Sequence, residues 1–239
     1  MGLRGVIDRV DYYQDGDDIY VKIIDYKSGN KKLEVNDIYN GLQLQLVIYM
    51  EVALELTKKK YRGKNVIPAG LFYYNIDNPV ILQEELKADD LEHIVLGKQR
   101  VSGLFSSDNN IVCAMDKQIG QLQENGGDSL YIPVGYTKKG DVKSGSGQIP
   151  VFDMEHLIDF VHKQTGELGR KILEGDIRRN PYLKTYDGGE TPCSYCEYRN
   201  ICGMDKNGLG QGTRVIHKEK NEEIWNKIRR EGGEDDGEE

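Results

Sequence analysis

The chain has 239 residues, 38% of them hydrophobic, which is enough to bury the core of one large domain or two small ones. No apolar run approaches the length of a membrane span and the N-terminus lacks a signal-peptide pattern, so we expect a cytoplasmic protein with no membrane partner. The net charge of -8 argues against a broadly basic nucleic-acid surface, but six acids lie in the last nine residues, and the remainder carries only -2.

The first quarter of the sequence predicts a β-hairpin followed by a long helix. Alternating residues indicate strands over Gly5–Tyr13 and Ile19–Lys27, joined by the turn sequence "QDGDD". A helix capped at Asn36 or Asp37 is expected to continue to the lysine-rich stretch before Gly63, because basic residues and a following glycine are usual signals of a helix end.

The rest of the chain predicts further strands and helices and a cysteine-rich end. The expected elements are strands over Val66–Ile76 and Leu130–Tyr136 and helices over Ala88–Arg100 and Asp153–Glu174. This order predicts an α/β domain with a central mixed sheet flanked by helices. Residues 1–205 are expected to form this domain, including a cysteine loop at 188–203, and residues 206–239 a C-terminal extension with an acidic, disordered tail.

Two aspartates and a lysine are expected on the inner face of the hairpin. Asp25 and Lys27 are two apart in the second strand, so both project to the face that its apolar residues occupy. A turn centred at residues 16–17 gives strand pairs whose numbers sum to 33, and this register sets Asp8 opposite Asp25. Like charges at facing positions are destabilising unless something neutralises them.

A divalent cation resolves this conflict, since two carboxylates and a backbone carbonyl form a hard oxygen site suited to Mg²⁺ or Mn²⁺. Lys27 beside that site can orient a water and stabilise charge on a phosphoryl oxygen. The alternative is a structural Asp25–Lys27 ion pair with Asp8 at the surface. Gln45 and Tyr49 are four apart on the long helix and share a face, so they point toward the same site, unless Gln45 is a core glutamine satisfied by backbone.

The motifs "GVIDRVD", "IIDYKSG" and "GLQLQLVIY" together resemble the PD-(D/E)xK nuclease superfamily, and within it the RecB-like nucleases with their Q-x-x-x-Y helix motif. The tail "CSYCEYRNIC" is similar to that of the AddB type of these domains, and the resemblance covers about residues 4 to 205. It implies a restriction-endonuclease-like fold. It also implies a metal-dependent DNA exonuclease of an AddAB-type helicase–nuclease, which processes double-strand ends with an AddA-like subunit.

The resemblance also assigns roles to individual residues. Asp8, Asp25 and the Tyr26 carbonyl would bind the metal, and Lys27 would be catalytic. The two residues that would support the site are Gln45 and Tyr49. RecB-like domains usually have a further acidic or histidine ligand upstream of the first strand, which lies only a few residues into this chain, so we expect a fragment with weak or no activity.

Two other functions remain open from the sequence. The first is a non-catalytic module that binds DNA or has a structural role, although intact Asp8, Asp25 and Lys27 argue against it. The second is a stand-alone CRISPR-associated RecB-like exonuclease, which shares the cysteine pattern but should have its first cysteine near its own N-terminus.

Cys193, Cys196 and Cys202 have the spacing C-x2-C-x5-C, which gives three thiolates where a tetrahedral site or cubane cluster needs four. The resemblance implies a [4Fe-4S] cluster whose fourth ligand lies far upstream, so no intact cluster is expected in this chain. Cys113 lies in an apolar stretch and is expected to be a small core residue. A zinc site completed by His217 is the weaker alternative, and a disulfide framework is not expected in a cytosolic chain.

Overall fold

The protein is described by a computed structural model that covers residues 4–29, 31–76, 79–81, 91–145, 147–186, 188–189, 191–202 and 212–233. These residues form an α/β fold in which helices cover both faces of a five-stranded mixed sheet. The fold class predicted from the sequence is therefore confirmed.

The strands and helices alternate irregularly along the chain. The strands are β1 (Arg9–Asp15), β2 (Asp18–Lys27), β3 (Asn65–Asn75), β4 (Ser102–Ser106), β5 (Gly127–Asp128), β6 (Gly135–Tyr136), β7 (Gln148–Ile149), β8 (Tyr182–Lys184) and β9 (Arg214–Ile216). The helices are α1 (Val35–Tyr39), α2 (Gln45–Lys60), α3 (Leu91–Lys98), α4 (Asn109–Met115), α5 (Ile119–Asn125), α6 (Val151–Leu173), α7 (Arg199–Cys202) and α8 (Asn221–Gly232).

The main sheet has the order β1–β2–β3–β4–β7. The pairs β1–β2 and β3–β4 are antiparallel, whereas β2–β3 and β4–β7 are parallel. Two small sheets accompany it, an antiparallel β5–β6 pair and a parallel β8–β9 pair. Strand β2 is thus internal, with a hydrogen-bonded neighbour on each side, and such a strand is usually apolar on both faces.

The β1–β2 hairpin has the predicted register. Arg9 pairs with Ile24 and Asp15 pairs with Asp18, so the paired residue numbers sum to 33. The two-residue loop begins with Gly16, whose φ of 57° lies in the left-handed region that favours glycine. Strand β1 begins at Arg9 rather than at Gly5, so Asp8 precedes the strand at the position that continues the register toward Asp25.

The long helix predicted after the hairpin is interrupted, and the prediction of one continuous helix is wrong. Helix α1 ends at Tyr39 and α2 begins at Gln45. The break contains Gly41, with φ of 77°, and Gln43, with φ of 51°, and neither conformation fits a right-handed helix. The Asn-Gly sequence at 40–41 is a turn signal that indicates such a break.

The larger core lies between the sheet and helices α2, α6 and α8. Val21 and Ile23 of β2 are fully buried on this face. Helix α8 contributes Ile224, Trp225 and Ile228 to the same core, although the sequence pattern places residues 206–239 in an extension. The opposite face carries a second core, covered by α4 and α5.

One predicted strand is shorter than expected, and two predicted segments lie partly or wholly outside the described residues. The expected strand over Leu130–Tyr136 is reduced to Gly135–Tyr136, because Pro133 lacks an N–H and the Ser129 hydroxyl accepts the N–H groups of the residues at 131 and 132. Residues 88–90 of the second predicted helix and the acidic tail at 234–239 lie outside the described residues. Among the described helices, none combines the length and apolar character needed to cross a bilayer.

Candidate active site

Asp25 and Lys27 lie at the end of β2 on the face that packs against α2. The strand alternation that buries Val21 and Ile23 carries both side chains to this face, and Asp25 is only 4% exposed. The Lys27 ammonium forms an ion pair with Asp25 Oδ2. That oxygen is buried, and it contacts the Lys27 ammonium. A buried carboxylate that is balanced by one ammonium still has lone pairs that can coordinate a further cation.

Asp8 lies beside this pair at the edge where β1 begins. The Tyr26 N–H donates to Asp8 Oδ2 at 2.9 Å. Because the N–H and C=O groups of one strand residue point to the same side, the Tyr26 carbonyl also faces the β1 edge. Asp8 itself is exposed. The structure thus brings Asp8, the Tyr26 backbone and Asp25 to one corner of the sheet.

Gln45 and Tyr49 connect this corner to helix α2. Gln45 Oε1 accepts a hydrogen bond from Lys27 Nζ at 3.2 Å. Gln45 Nε2 in turn donates to the Tyr49 hydroxyl at 3.0 Å, across one turn of the helix. Gln45 is exposed at the first position of α2 and contacts Lys27, so the alternative of a core glutamine satisfied by backbone is wrong.

Two residues that contact the site, Gly5 and Tyr73, were not identified from the sequence patterns. A Cβ at Gly5 would lie 3.1 Å from the Tyr49 ring, so any other residue there would require the ring to shift by a few tenths of an ångström. Tyr73 pairs with Asp25 in the parallel β2–β3 register, and the Lys27 Nζ lies 5.4 Å from the centre of its ring. The "LFYYN" strand pattern shows that an aromatic residue faces this side, but not its proximity to Lys27.

Burial and the nearby Asp25 carboxylate raise the pKa of Tyr73 to about 12. Burial acts first because it disfavours the charged phenolate, and the negative charge of Asp25 adds to the effect. Tyr73 therefore remains a neutral phenol at physiological pH.

The chemistry of the donor set fits a hard divalent cation. Asp25 offers a buried carboxylate, Asp8 offers a second carboxylate, and the Tyr26 carbonyl faces the same edge. The two carboxylates do not form a complete set by themselves. In the part of the chain that the structure describes, no group of three or more His, Cys, Asp and Glu side chains is arranged to hold a metal ion.

The three C-terminal cysteines do not form such a group either. Cys193 is buried in a short 3-10 helix at Pro192–Ser194, Cys196 is exposed, and Cys202 is half-buried at the end of α7. A cubane cluster needs four thiolates around one point, so these described residues do not fit a complete cluster site. Cys113 is half-buried in α4 and packs against the second core, in agreement with a role in packing.

A comparison of the sequence with known protein families agrees with the fold and the arrangement of these residues. A profile of the PD-(D/E)XK nuclease superfamily matches residues 1–203. The chain belongs to the PD-(D/E)XK nuclease superfamily. The superfamily assignment, the α/β fold and the resemblance stated from the three motifs are therefore confirmed.

Similar proteins within this superfamily are named as a subunit of an ATP-dependent helicase/deoxyribonuclease, the AddB type. The protein from Alkaliphilus oremlandii is 36% identical over 229 residues, which is 96% of this chain and 19% of that protein. The protein from Clostridioides difficile is 38% identical over 225 residues, 94% of this chain and 19% of its own length. The protein from a Thermoanaerobacter species is 36% identical over 236 residues, 98% of this chain and 20% of its own. This PD-(D/E)XK chain thus spans about a fifth of the length of these relatives.

Proposed function

We propose that the chain is a metal-dependent deoxyribonuclease that hydrolyses phosphodiester bonds in DNA. The observation that carries this proposal is the buried Asp25 carboxylate in ion-pair contact with Lys27, at the corner of the sheet where Asp8 and the Tyr26 backbone also meet. A purely structural Asp25–Lys27 pair would not require a second carboxylate or a glutamine beside it. Asp8 and Gln45 both lie at this corner, as a site that binds a cation and a phosphate requires.

Asp8, Asp25 and the Tyr26 carbonyl would hold a Mg²⁺ or Mn²⁺ ion. When bound, the ion supplies Lewis-acid stabilisation of the negative charge at the scissile phosphate. Tyr26 contributes through its backbone alone, so side-chain substitutions at this position should have little effect on the ligand set.

Lys27 provides the positive charge that this chain itself brings to the phosphate. Its ammonium donates to Gln45 Oε1, which fixes one direction of the group and leaves other protons for a phosphoryl oxygen. Tyr49 accepts from the Gln45 amide and thereby fixes the orientation of that amide. The sequence of contacts from Tyr49 to Gln45 to Lys27 arranges the ammonium before substrate binds.

The names of the relatives support the wider setting. We infer that the chain acts on DNA as an exonuclease domain of an AddAB-type complex in the cytoplasm. It would process double-strand ends together with an AddA-like helicase–nuclease subunit. A [4Fe-4S] cluster belongs to a longer form of the protein that supplies the fourth ligand. The similarity to helicase/deoxyribonuclease subunits favours this setting over a CRISPR-associated exonuclease.

The test measures cleavage of end-labelled single-stranded and duplex DNA with Mg²⁺ or Mn²⁺. It uses the chain and a form extended upstream to include the further ligand that the superfamily resemblance implies. We expect cleavage that Asp25→Ala and Lys27→Ala abolish and that chelation of the metal prevents. Metal-independent DNA binding without cleavage in both forms would instead identify a non-catalytic module.

A further inference from the structure

A buried polar cluster joins helix α1 to the C-terminal part of the chain. Its centre is Asp37, which is 2% exposed. Asp37 Oδ2 accepts from Lys184 Nζ at 2.8 Å and from Gln43 Nε2 at 3.0 Å, and Asp37 Oδ1 accepts from the Tyr186 hydroxyl at 2.7 Å. Asn36 donates to the same Tyr186 hydroxyl at 2.6 Å. The carboxylate thus has three donors, as a buried charge requires.

Gln43 is the member of this cluster that lies in the helix break. Among the described residues it is the one non-glycine residue with a positive φ. Such a conformation is unfavourable for an ordinary side chain and persists where the surroundings enforce it. The enforcing contacts are two hydrogen bonds of the side-chain amide, because Nε2 donates to Asp37 and Oε1 accepts from the Glu34 N–H at 3.1 Å.

The same break sets the position of the proposed active site. Gln45 follows Gln43 by two residues and is the first residue of α2. Its own side chain is exposed and contacts Lys27 and Tyr49. The direction in which Gln45 leaves the break therefore depends on the backbone of Gln43.

We propose that Gln43 and Asp37 are positioning residues that hold the start of α2 so that Gln45 reaches Lys27. The cluster gives the C-terminal segment a part in this task, because Lys184 and Tyr186 neutralise and orient Asp37. The expected loss of catalysis rests on the proposed function. The expected displacement of the Gln45 side chain does not depend on that function.

Gln43→Gly is the sharpest test, since glycine adopts a positive φ without strain and the substitution removes both side-chain contacts. Gln43→Asn is the companion variant, because asparagine also tolerates this conformation but is one methylene too short to retain both contacts. Tyr39→Phe is the matched control. It removes the hydrogen bond of 3.0 Å from Tyr39 to Glu231, which also anchors α1 but does not involve the break. All variants are first compared in thermal unfolding.

Two readouts separate positioning from folding and from the proposed function. The side-chain amide signals of Gln45, assigned with Gln45→Leu in ¹H–¹⁵N spectra without metal, should move to free-glutamine values in both Gln43 variants and remain in Tyr39→Phe. Turnover at saturating metal and DNA should fall about 10- to 100-fold in the same two variants, since small misplacements near reacting groups have such effects. Unchanged Gln45 signals in folded Gln43→Gly would overturn the positioning inference. Displaced signals together with cleavage that survives Lys27→Ala would overturn the proposed function instead and leave the positioning intact.

Discussion

Substitution of Asp25 by asparagine should weaken the fold and remove its response to metal. Asparagine preserves the shape of the side chain but removes the negative charge next to the Lys27 ammonium. The sequence alone suggests that loss of this charge would relieve repulsion from Asp8. The structure predicts the opposite sign, because Asp8 already has the Tyr26 N–H and Asp25 has Lys27 as partners.

The size of the effect depends on what Lys27 does after the change. Removing one member of a fully buried ion pair costs about 3–5 kcal/mol, because the other charge remains without compensation. The side chain of Lys27 is 23% exposed against 5% for Asp25, so its ammonium can regain water and retains Gln45 Oε1. We therefore expect the free energy of unfolding to fall by about 1–3 kcal/mol. The midpoint of thermal unfolding should fall by roughly 2–12 °C for a domain of this size.

Chemical denaturation with and without Mn²⁺ measures both parts of the prediction. A metal at 100 times its Kd adds about 2.7 kcal/mol to the stability of a protein with one site, and Asp25→Asn should lose most of this gain. Asp11→Asn is the control, since Asp11 also forms an ion pair with a lysine of β2, Lys22, but on the opposite face of the sheet. An equal Mn²⁺ response in the parent and in Asp25→Asn would refute the assignment of Asp25 as a metal ligand.

Three further outcomes are expected. Lys27→Ala should lower turnover far more than metal affinity, because its role lies mainly in the transition state; calorimetry that shows lost metal binding, with cleavage unchanged at saturating metal, would point to a structural ion pair. Anaerobically purified chain should contain no intact iron–sulfur cluster in iron and sulfide analysis, and four iron atoms per chain would contradict this and make Cys113 the leading candidate for the fourth ligand. The free energy of unfolding should fall as pH rises from 10 toward 12. The fold raises the pKa of Tyr73 to about 12, so over this window the unfolded chain loses the phenol proton while the folded chain keeps it, and the stability present below pH 10 is lost. Tyr73→Phe should flatten this slope in denaturation curves, and an unchanged slope would count against the burial argument.

The hairpin was predictable from the sequence because its determinants are local. Strand alternation and a two-residue turn with glycine define a register, and that register by itself places Asp8 opposite Asp25. The contact between Gln45 and Tyr49 was predictable for the same reason, since it spans a single helical turn.

Contacts between distant segments could not be derived in this way. The bonds from Asp37 to Lys184 and Tyr186 join residues about 150 positions apart, and no periodic pattern reports such a pairing. The break before Gln45 left a local signal in Asn40–Gly41, but the apolar periodicity on both sides outweighed it. The contact of Gln45 with the site could be predicted from its residue type and its spacing from Tyr49. Its exposure at the start of α2 could not, because it depends on the helix break.

Helix α8 has a consequence for the order in which the protein can be made. Ile224, Trp225 and Ile228 complete the larger core, which otherwise consists of residues from the first 161 positions. A chain emerging from the ribosome can form the β1–β2 hairpin early, but it cannot close that core until the residues of α8 have been synthesised. Trp225 is the single tryptophan of the chain and is 8% exposed in this position. The fluorescence of a buried indole should therefore appear only in nascent chains long enough for α8 to have left the exit tunnel, and in one late step.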